Sequence, residues 1–420
     1  MIDRRSNHRE SVGSDSACPV CSGSSWEHLF TVASAPVSCG QLFPSAEAAV
    51  QAGQCRLEVS ICPTCGHVWN AAHRGNPDSL YNENYYASFT ASSQARDYQM
   101  ALARDLGRIV RVSGKTVLEI GCGDGFFLKS LGSLGARSIG FEPSSTFDVA
   151  VRQPGIKVYN EYFPFEGTQR VDFQVDIVVL RHVLEHLASP RKVLDSLKDA
   201  CFSEPPPQFL FLEVPNVFQL LKDNLYFDFY NDHINYFSYH SLERLLHAAG
   251  WVPIARIGKD DEFIRLVAGN SAYEPAPWLP PEEAGWPDTK DEVISAASMF
   301  RTNYQEWKAK LAAVLTAQRE KGGRIAVWGA GSRGVALLSG LELDRGSFAY
   351  VVDSDSNKHG RYLPIVHLPI YPVEHLKIDP VDSVIVTSYT YFDEILSQLD
   401  WFLSAGGKVI KVYPMPKLVP

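Results

Sequence analysis

The chain has 420 residues, 45% of them hydrophobic and 21% charged, with 48 acidic against 39 basic side chains and a net charge of −9. That length holds two or three domains with cores of their own, and an aromatic content of 11% argues against a disordered chain. No Lys/Arg-rich run offers the clustered cations that a nucleic acid requires, no stretch approaches the roughly 18 apolar residues of a membrane span, and residues 1–15 lack the apolar core of a signal peptide, so the expectation is a soluble, cytoplasmic protein.

Six of the eight cysteines fall before residue 66. Among them are two Cys-x-x-Cys knuckles, Cys18-Pro-Val-Cys21 and Cys62-Pro-Thr-Cys65, each followed closely by glycine (Gly23, Gly66). The pair resembles a zinc ribbon: four thiolates can converge on one structural Zn²⁺, and a module of about 70 residues needs such a staple. The 40-residue spacer is long and contains Cys39 and Cys55 as alternative ligands; a disulfide is the competing use of the knuckles, one that a reducing cytosol disfavours. This gives a zinc-binding module over 1–80.

From about residue 95 helical periodicity alternates with short apolar runs at Thr116–Ile120, Ser138–Glu142, Val175–Leu180 and Phe209–Val214. That pattern predicts α/β architecture with a doubly wound parallel sheet. The first run leads into Glu119-Ile-Gly121-Cys-Gly123-Asp-Gly125-Phe126, where the glycines allow a ligand to approach main-chain N–H groups at a helix start, while Glu119 and Asp124 favour a ligand carrying positive charge. Glu142, 23 residues beyond Glu119, ends the next strand and is placed to accept both hydroxyls of a ribose, with Pro143 after it.

The third run continues as Arg181-His182-Val-Leu-Glu185-His186, which sets two histidines four residues apart at a predicted helix start facing the carboxyl edge of the sheet. The fourth runs into Glu213-Val-Pro-Asn216 and then Asp228-Phe-Tyr230-Asn-Asp232-His233-Ile-Asn-Tyr236, a dense polar group in an aromatic setting. A histidine of ordinary pKa, about 6.5, accepts a proton at neutral pH, so His233 is the candidate base, with Asp232 to stabilise the imidazolium and the Tyr230 phenol nearby. The bland alternative for His233 is packing at the start of the capped helix from Ser238.

The proline-rich stretch Asn270–Asp288 reads as a linker and is followed by a long amphipathic helix over about Asp291–Lys321, giving a linker-and-helix region over 271–322. Two more buried strands, Arg324–Trp328 and Ala349–Val352, predict a smaller Rossmann-like domain over 323–420. There Gly329-Ala-Gly331-Ser332-Arg333-Gly334, with Asp353 some twenty residues on, has the spacing of a dinucleotide fingerprint, which taken alone predicts NAD. No separate substrate domain follows it.

The glycine turn, Glu142 and the Arg181–His186 segment together resemble the class I S-adenosylmethionine methyltransferases over about residues 95–255. With Cys18/Cys21/Cys62/Cys65, the Tyr81–Phe89 segment, Glu213-Val-Pro215, and the closing glycine loop with Gly360-Arg361-Tyr-Leu-Pro364, nearly the whole chain resembles the deoxysugar C-methyltransferases that act on nucleotide-linked ketosugars in antibiotic biosynthesis. The resemblance implies S-adenosylmethionine at Glu119, Gly121, Gly123, Gly125, Phe126, Glu142, Pro143, Arg181 and His182, and a methyltransferase domain over 81–270. It implies a nucleotide-sugar substrate at Tyr85 or Tyr86, Glu213 and Asn216, with Ser332, Arg333, Asp353 and Arg361 on its nucleotide.

In that family a Tyr-His-Glu-His segment carries the catalytic groups, its last histidine removing the proton beside a ketone. Here the segment is Tyr230-Asn231-Asp232-His233, so two of four positions depart, and the resemblance implies His233 as base with His186 close to the substrate. An O- or N-methyltransferase, or an NAD-binding bifunctional protein, is the alternative.

Overall fold

The computed structural model describes residues 17–73, 84–85, 90, 93–165, 173–199, 205–258, 262–270, 287–340 and 345–419. Tyr86, most of the 81–89 segment and all of 271–286 lie outside them, as does Cys201.

The strands Thr116–Ile120, Arg137–Phe141, Ile177–Arg181 and Phe209–Pro215 are apolar almost throughout, because each is buried on both faces of a parallel sheet. They form the centre of a seven-stranded sheet ordered Trp251–Arg256, Phe263–Asn270, Phe209–Pro215, Ile177–Arg181, Thr116–Ile120, Arg137–Phe141, Ile156–Tyr159. All pairs run parallel from Phe209–Pro215 to Ile156–Tyr159, whereas Phe263–Asn270 inserts antiparallel beside Phe209–Pro215. From Thr116–Ile120 the chain goes first to one neighbour and later to the other, so the crevice of the fold opens at the carboxyl end of that strand.

The cysteine-rich segment forms a four-stranded antiparallel sheet, Glu27–Pro36, Gln54–Ile61, Val68–Asn70 and Asn235–Tyr236. Its last strand comes from the segment that carries His233, with Val68 opposite Tyr236 and Trp69 opposite Asn235. The closing domain is a six-stranded sheet ordered Ile370–Tyr371, Val351–Val352, Ile325–Trp328, Ser383–Val386, Lys408–Lys411, Lys417–Val419, parallel except for its final strand.

The helix Lys290–Arg319 joins these parts. A reciprocal cap between Thr289 and Glu292 starts it, and Val293, Ala297, Phe300, Tyr304, Trp307, Leu311 and Leu315 make one buried stripe at helical spacing. Phe300 and Tyr304 pack on Phe30 of the first sheet and on Tyr226, with ring centroids 4.1–5.8 Å apart. Trp307 donates its indole N–H to the Val412 carbonyl at 2.8 Å. One apolar core therefore runs from the first sheet through Tyr226–Tyr230 to the closing domain. Among the described residues no helix is long and apolar enough to cross a membrane.

Candidate active site

The turn after Thr116–Ile120 has left-handed backbone at Gly121, Gly123 and Gly125 (φ +72°, +56° and +73°). A Cβ at Gly121 would stand 2.7 Å from Val183 Cγ2, and one at Gly125 2.7 Å from Ile156 Cδ1, so sterics as well as φ demand glycine. Phe126 opens the helix Phe126–Ser133. Glu142 clamps the turn: its carboxylate accepts the N–H of Gly123 at 2.7 Å and of Ser144 at 2.9 Å.

A cavity of about 770 Å³ opens here, lined by Glu119, Gly121, Gly123, Glu142 and Pro143 together with Tyr85, Arg181, His182 and His186. That volume suits a nucleoside-sized ligand with room for a second reactant. Phe126 is adjacent but does not line it. Glu119 is 1% exposed, its Oε2 has no hydrogen-bond partner, and burial pushes its carboxyl up to about 8 against the pull of Arg181, 3.6 Å away. A buried carboxylate oxygen lacking a donor at a cavity wall calls for a cationic or N–H-bearing ligand.

Glu213 lies beneath the cavity. Arg181 donates to it at 2.6 Å, Arg265 at 3.3 Å, and the Tyr98 hydroxyl donates as well. Although burial opposes ionisation, these partners, Arg181 first, hold its carboxyl down at about 2. Asn216 caps the helix Val217–Lys222 by accepting the Phe218 N–H at 3.1 Å. Neither residue lines the cavity.

The histidines expected at a helix start sit instead on a tight turn: His182 has φ +54°, and Leu184–His186 form a single 3-10 turn. The His186 Nδ1 is 2.7 Å from the Asp232 carbonyl, which only accepts, so Nδ1 carries the proton. The His186 and His233 rings meet edge to face, centroids 4.7 Å apart, and the Tyr230 ring lies 4.8 Å from that of His233; of the three, His186 lines the cavity and the other two do not. Burial above all, with His186 and His182 adding to it, holds the His233 imidazole well below its ordinary pKa, so the ring is unprotonated at neutral pH. Tyr230 gives its hydroxyl to Asp228, and Asp232 accepts from Ser38 Oγ at 3.1 Å. Tyr85 reaches the cavity over Gly40, with burial raising its phenol well above the usual range.

Cys18, Cys21, Cys62 and Cys65 come together as expected, all four sulfurs within 4.8 Å of one another and two pairs at 3.5 and 3.6 Å. A tetrahedral site with Zn–S of about 2.3 Å has sulfur edges of about 3.8 Å, so the donor set and its dimensions fit. Cys39 and Cys55 stand apart, Cys55 donating to the Ala35 and Pro36 carbonyls.

In the closing domain Ser332 begins the helix Ser332–Gly340 and Arg361 is exposed. Arg333, expected to meet a diphosphate, instead pairs with Asp228 at 3.0 Å and Glu262 at 2.8 Å, and stacks on Tyr389. Asp353 holds the glycine loop much as Glu142 holds the first one, accepting the N–H of Ala330 at 2.7 Å and pairing with Lys358 at 3.1 Å. Sequence reasoning passed over Glu185, Ser38, Tyr98, Arg265 and Glu262, all of which act on the site across large separations in the chain; only Glu185, in a Glu-His pair beside the cavity, had a local signal.

Residues 94–255 match the family model of a methyltransferase domain, and residues 290–416 match that of the C-methyltransferase C-terminal domain. Over 412 residues, 96% of both chains, the protein is 23% identical to C-methyltransferase NovU of Streptomyces niveus. The chain is an S-adenosylmethionine-dependent methyltransferase. A ubiquinone biosynthesis O-methyltransferase of Paraburkholderia phytofirmans is 32% identical over 92 residues, 21% of this chain and 40% of that one. A magnesium protoporphyrin IX methyltransferase structure from Synechocystis with bound S-adenosylmethionine covers 42% of this methyltransferase, and 79% of its own chain is matched, at 15% identity and a TM-score of 0.31.

Proposed function

We propose that the protein methylates the carbon next to the carbonyl of a nucleotide-linked deoxy-ketosugar, with His233 as general base. The observation that carries this reading is the His186–His233 pair, in which His186 lines the same cavity as the glycine turn, Glu119 and Glu142. Bound S-adenosylmethionine supplies an electrophilic methyl group and leaves as the neutral thioether. Glu119 meets the ligand's positive charge and Glu142 its ribose hydroxyls.

His233 takes the proton from the acceptor carbon, and the C–H electron pair moves into an enolate. Tyr85, kept protonated by its burial, donates to the enolate oxygen, with His186 beside it. The carbanion carbon then forms the new C–C bond as the methyl–sulfur bond breaks. Positioning of the two reactants in one cavity is the main source of acceleration. Structural Zn²⁺ on the four knuckle cysteines holds the first sheet, and the closing domain's glycine loop, with Ser332 and Arg361, takes the nucleotide.

The test is incubation with S-adenosylmethionine and a thymidine diphosphate-linked 4-keto-6-deoxyhexose in D₂O. Wild type washes deuterium into the acceptor carbon and yields a C-methyl product, whereas His233→Ala does neither. A product methylated on a hydroxyl would overturn carbon methylation.

A further inference from the structure

A buried imidazole that takes a proton becomes a buried cation, and such a cation needs an anion beside it. The neighbours of His233 are poorly suited to this: His186 and His182 are themselves basic, and the rings of Tyr230 and Tyr236, at 4.8 and 5.9 Å, belong to phenols committed elsewhere. The adjacent carboxylate, Asp232, gives one oxygen to Ser38 and leaves the other buried without a hydrogen bond, but it is not in the group that Glu185 forms with the His186 and His233 rings.

Glu185 is different. It is 1% exposed, and neither carboxylate oxygen has a hydrogen-bond partner. A carboxylate oxygen of Glu185 and one ring nitrogen each of His186 and His233 all lie within 4.8 Å of one another. His182 Nδ1 stands 3.6 Å from Glu185 Oε1. The two segments are fixed to each other by main chain, since Ile234 donates its N–H to the Glu185 carbonyl at 2.8 Å. One water with two hydrogen bonds of about 2.8 Å bridges a gap of this size, and catalytic contacts of this kind shorten when substrate binds.

We propose that Glu185 is the positioning carboxylate of His233. It fixes the ring's orientation and tautomer and stabilises the imidazolium formed when the substrate proton arrives. The assignment rests on His233 being the base. It gives the place of a neighbouring carboxylate to a residue 48 positions upstream, on the turn after a central strand, rather than to Asp232.

The test is NMR of the full-length protein labelled with ¹⁵N-histidine, comparing wild type with Glu185→Gln and Asp232→Asn, and using His233→Gln to assign the resonance. Wild type shows one fixed His233 tautomer. Glu185→Gln gives a mixture of tautomers, and Asp232→Asn keeps the wild-type form. In the D₂O assay Glu185→Gln slows exchange on the order of 100-fold with KM within about twofold, and Glu185→Asp restores part of the rate. If Glu185→Gln fails to fold, Glu185→Asp carries the NMR comparison, and an unaltered His233 signal there counts against the proposal.

An unchanged His233 tautomer in Glu185→Gln, a change confined to His182, or a second tightly held divalent cation shared by Glu185, His186 and His233 would each overturn it. Retained exchange in His233→Gln sinks the base itself, and the NMR comparison separates that failure from this one.

Discussion

Replacing Glu119 with glutamine should stabilise the ligand-free protein at alkaline pH while weakening its grip on the cofactor. The Glu119 carboxyl sits at about 8 rather than 4.5 because it is buried, with Arg181 only partly compensating. The folded pKa of this acid is raised, so the stability it contributes is complete below pH 4.5 and is lost as pH rises through 8. At about 1.36 kcal/mol per pH unit the ionised folded state gives up about 4–5 kcal/mol. A glutamine side chain has the same shape and no charge to strand, so thermal melts of Glu119→Gln and wild type should coincide near pH 4.5 and separate progressively up to pH 9, with the variant higher. Titration calorimetry with S-adenosylhomocysteine should show the reverse. The ligand's ammonium selects the ionised carboxylate, so wild-type affinity should fall roughly tenfold per pH unit below 8 until the lowered pKa of the complex is reached. Glu119→Gln should bind weakly with a flat pH profile. A melting difference that does not vary with pH, or equal affinity in both proteins, would refute this account of the empty oxygen at the cavity wall.

Three further outcomes follow from single contacts. Gly121→Ala, whose new Cβ would lie 2.7 Å from Val183 Cγ2 at φ +72°, should cost about 1–3 kcal/mol in urea unfolding and raise the dissociation constant for S-adenosylhomocysteine. Arg333→Met leaves Asp228 and Glu262 without their shared cation, so unfolding free energy should drop by about 3 kcal/mol, with part of the loss recovered on adding Asp228→Asn. Cys62→Ser should bring the metal content measured by plasma mass spectrometry well below one Zn²⁺ per chain and lower the unfolding temperature, because the free energy of metal binding is then lost to folding.

What could be read from the sequence was whatever the chain writes locally. The glycine turn, Glu142 and the paired knuckles are each encoded within a few residues, because φ, close approach and thiolate spacing are local demands. The central strands were legible from runs such as Ile177–Leu180, where burial on both faces leaves no room for polar alternation. Arg333 shows the limit: a cation at a helix start looks available for phosphate until Asp228 and Glu262, 105 and 71 residues away, fold against it. Likewise Glu213 reads as a candidate substrate ligand until Arg181, Arg265 and Tyr98 converge on it. The two-residue strand Asn235–Tyr236 carries no periodicity at all, and only its pairing with Val68–Trp69 makes it a strand.

That short strand explains why the cysteine cluster and the closing Rossmann-like domain both bear on this cavity. The segment bearing His233 has little regular structure of its own between Asp228 and Asn235, so its geometry is imposed from outside. The first sheet grips it by the pairing at Asn235–Tyr236, by Phe30 against Phe229 with centroids 5.3 Å apart, and by Ser38 on Asp232. The closing domain grips it through Arg333 on Asp228, which also receives the Tyr230 hydroxyl. The turn Leu184–His186 grips it through Glu185 and His186. His233, the base proposed above, is thus held in place from three parts of the fold. Disturbing the cysteine cluster should therefore depress turnover even though none of its four residues lines the cavity.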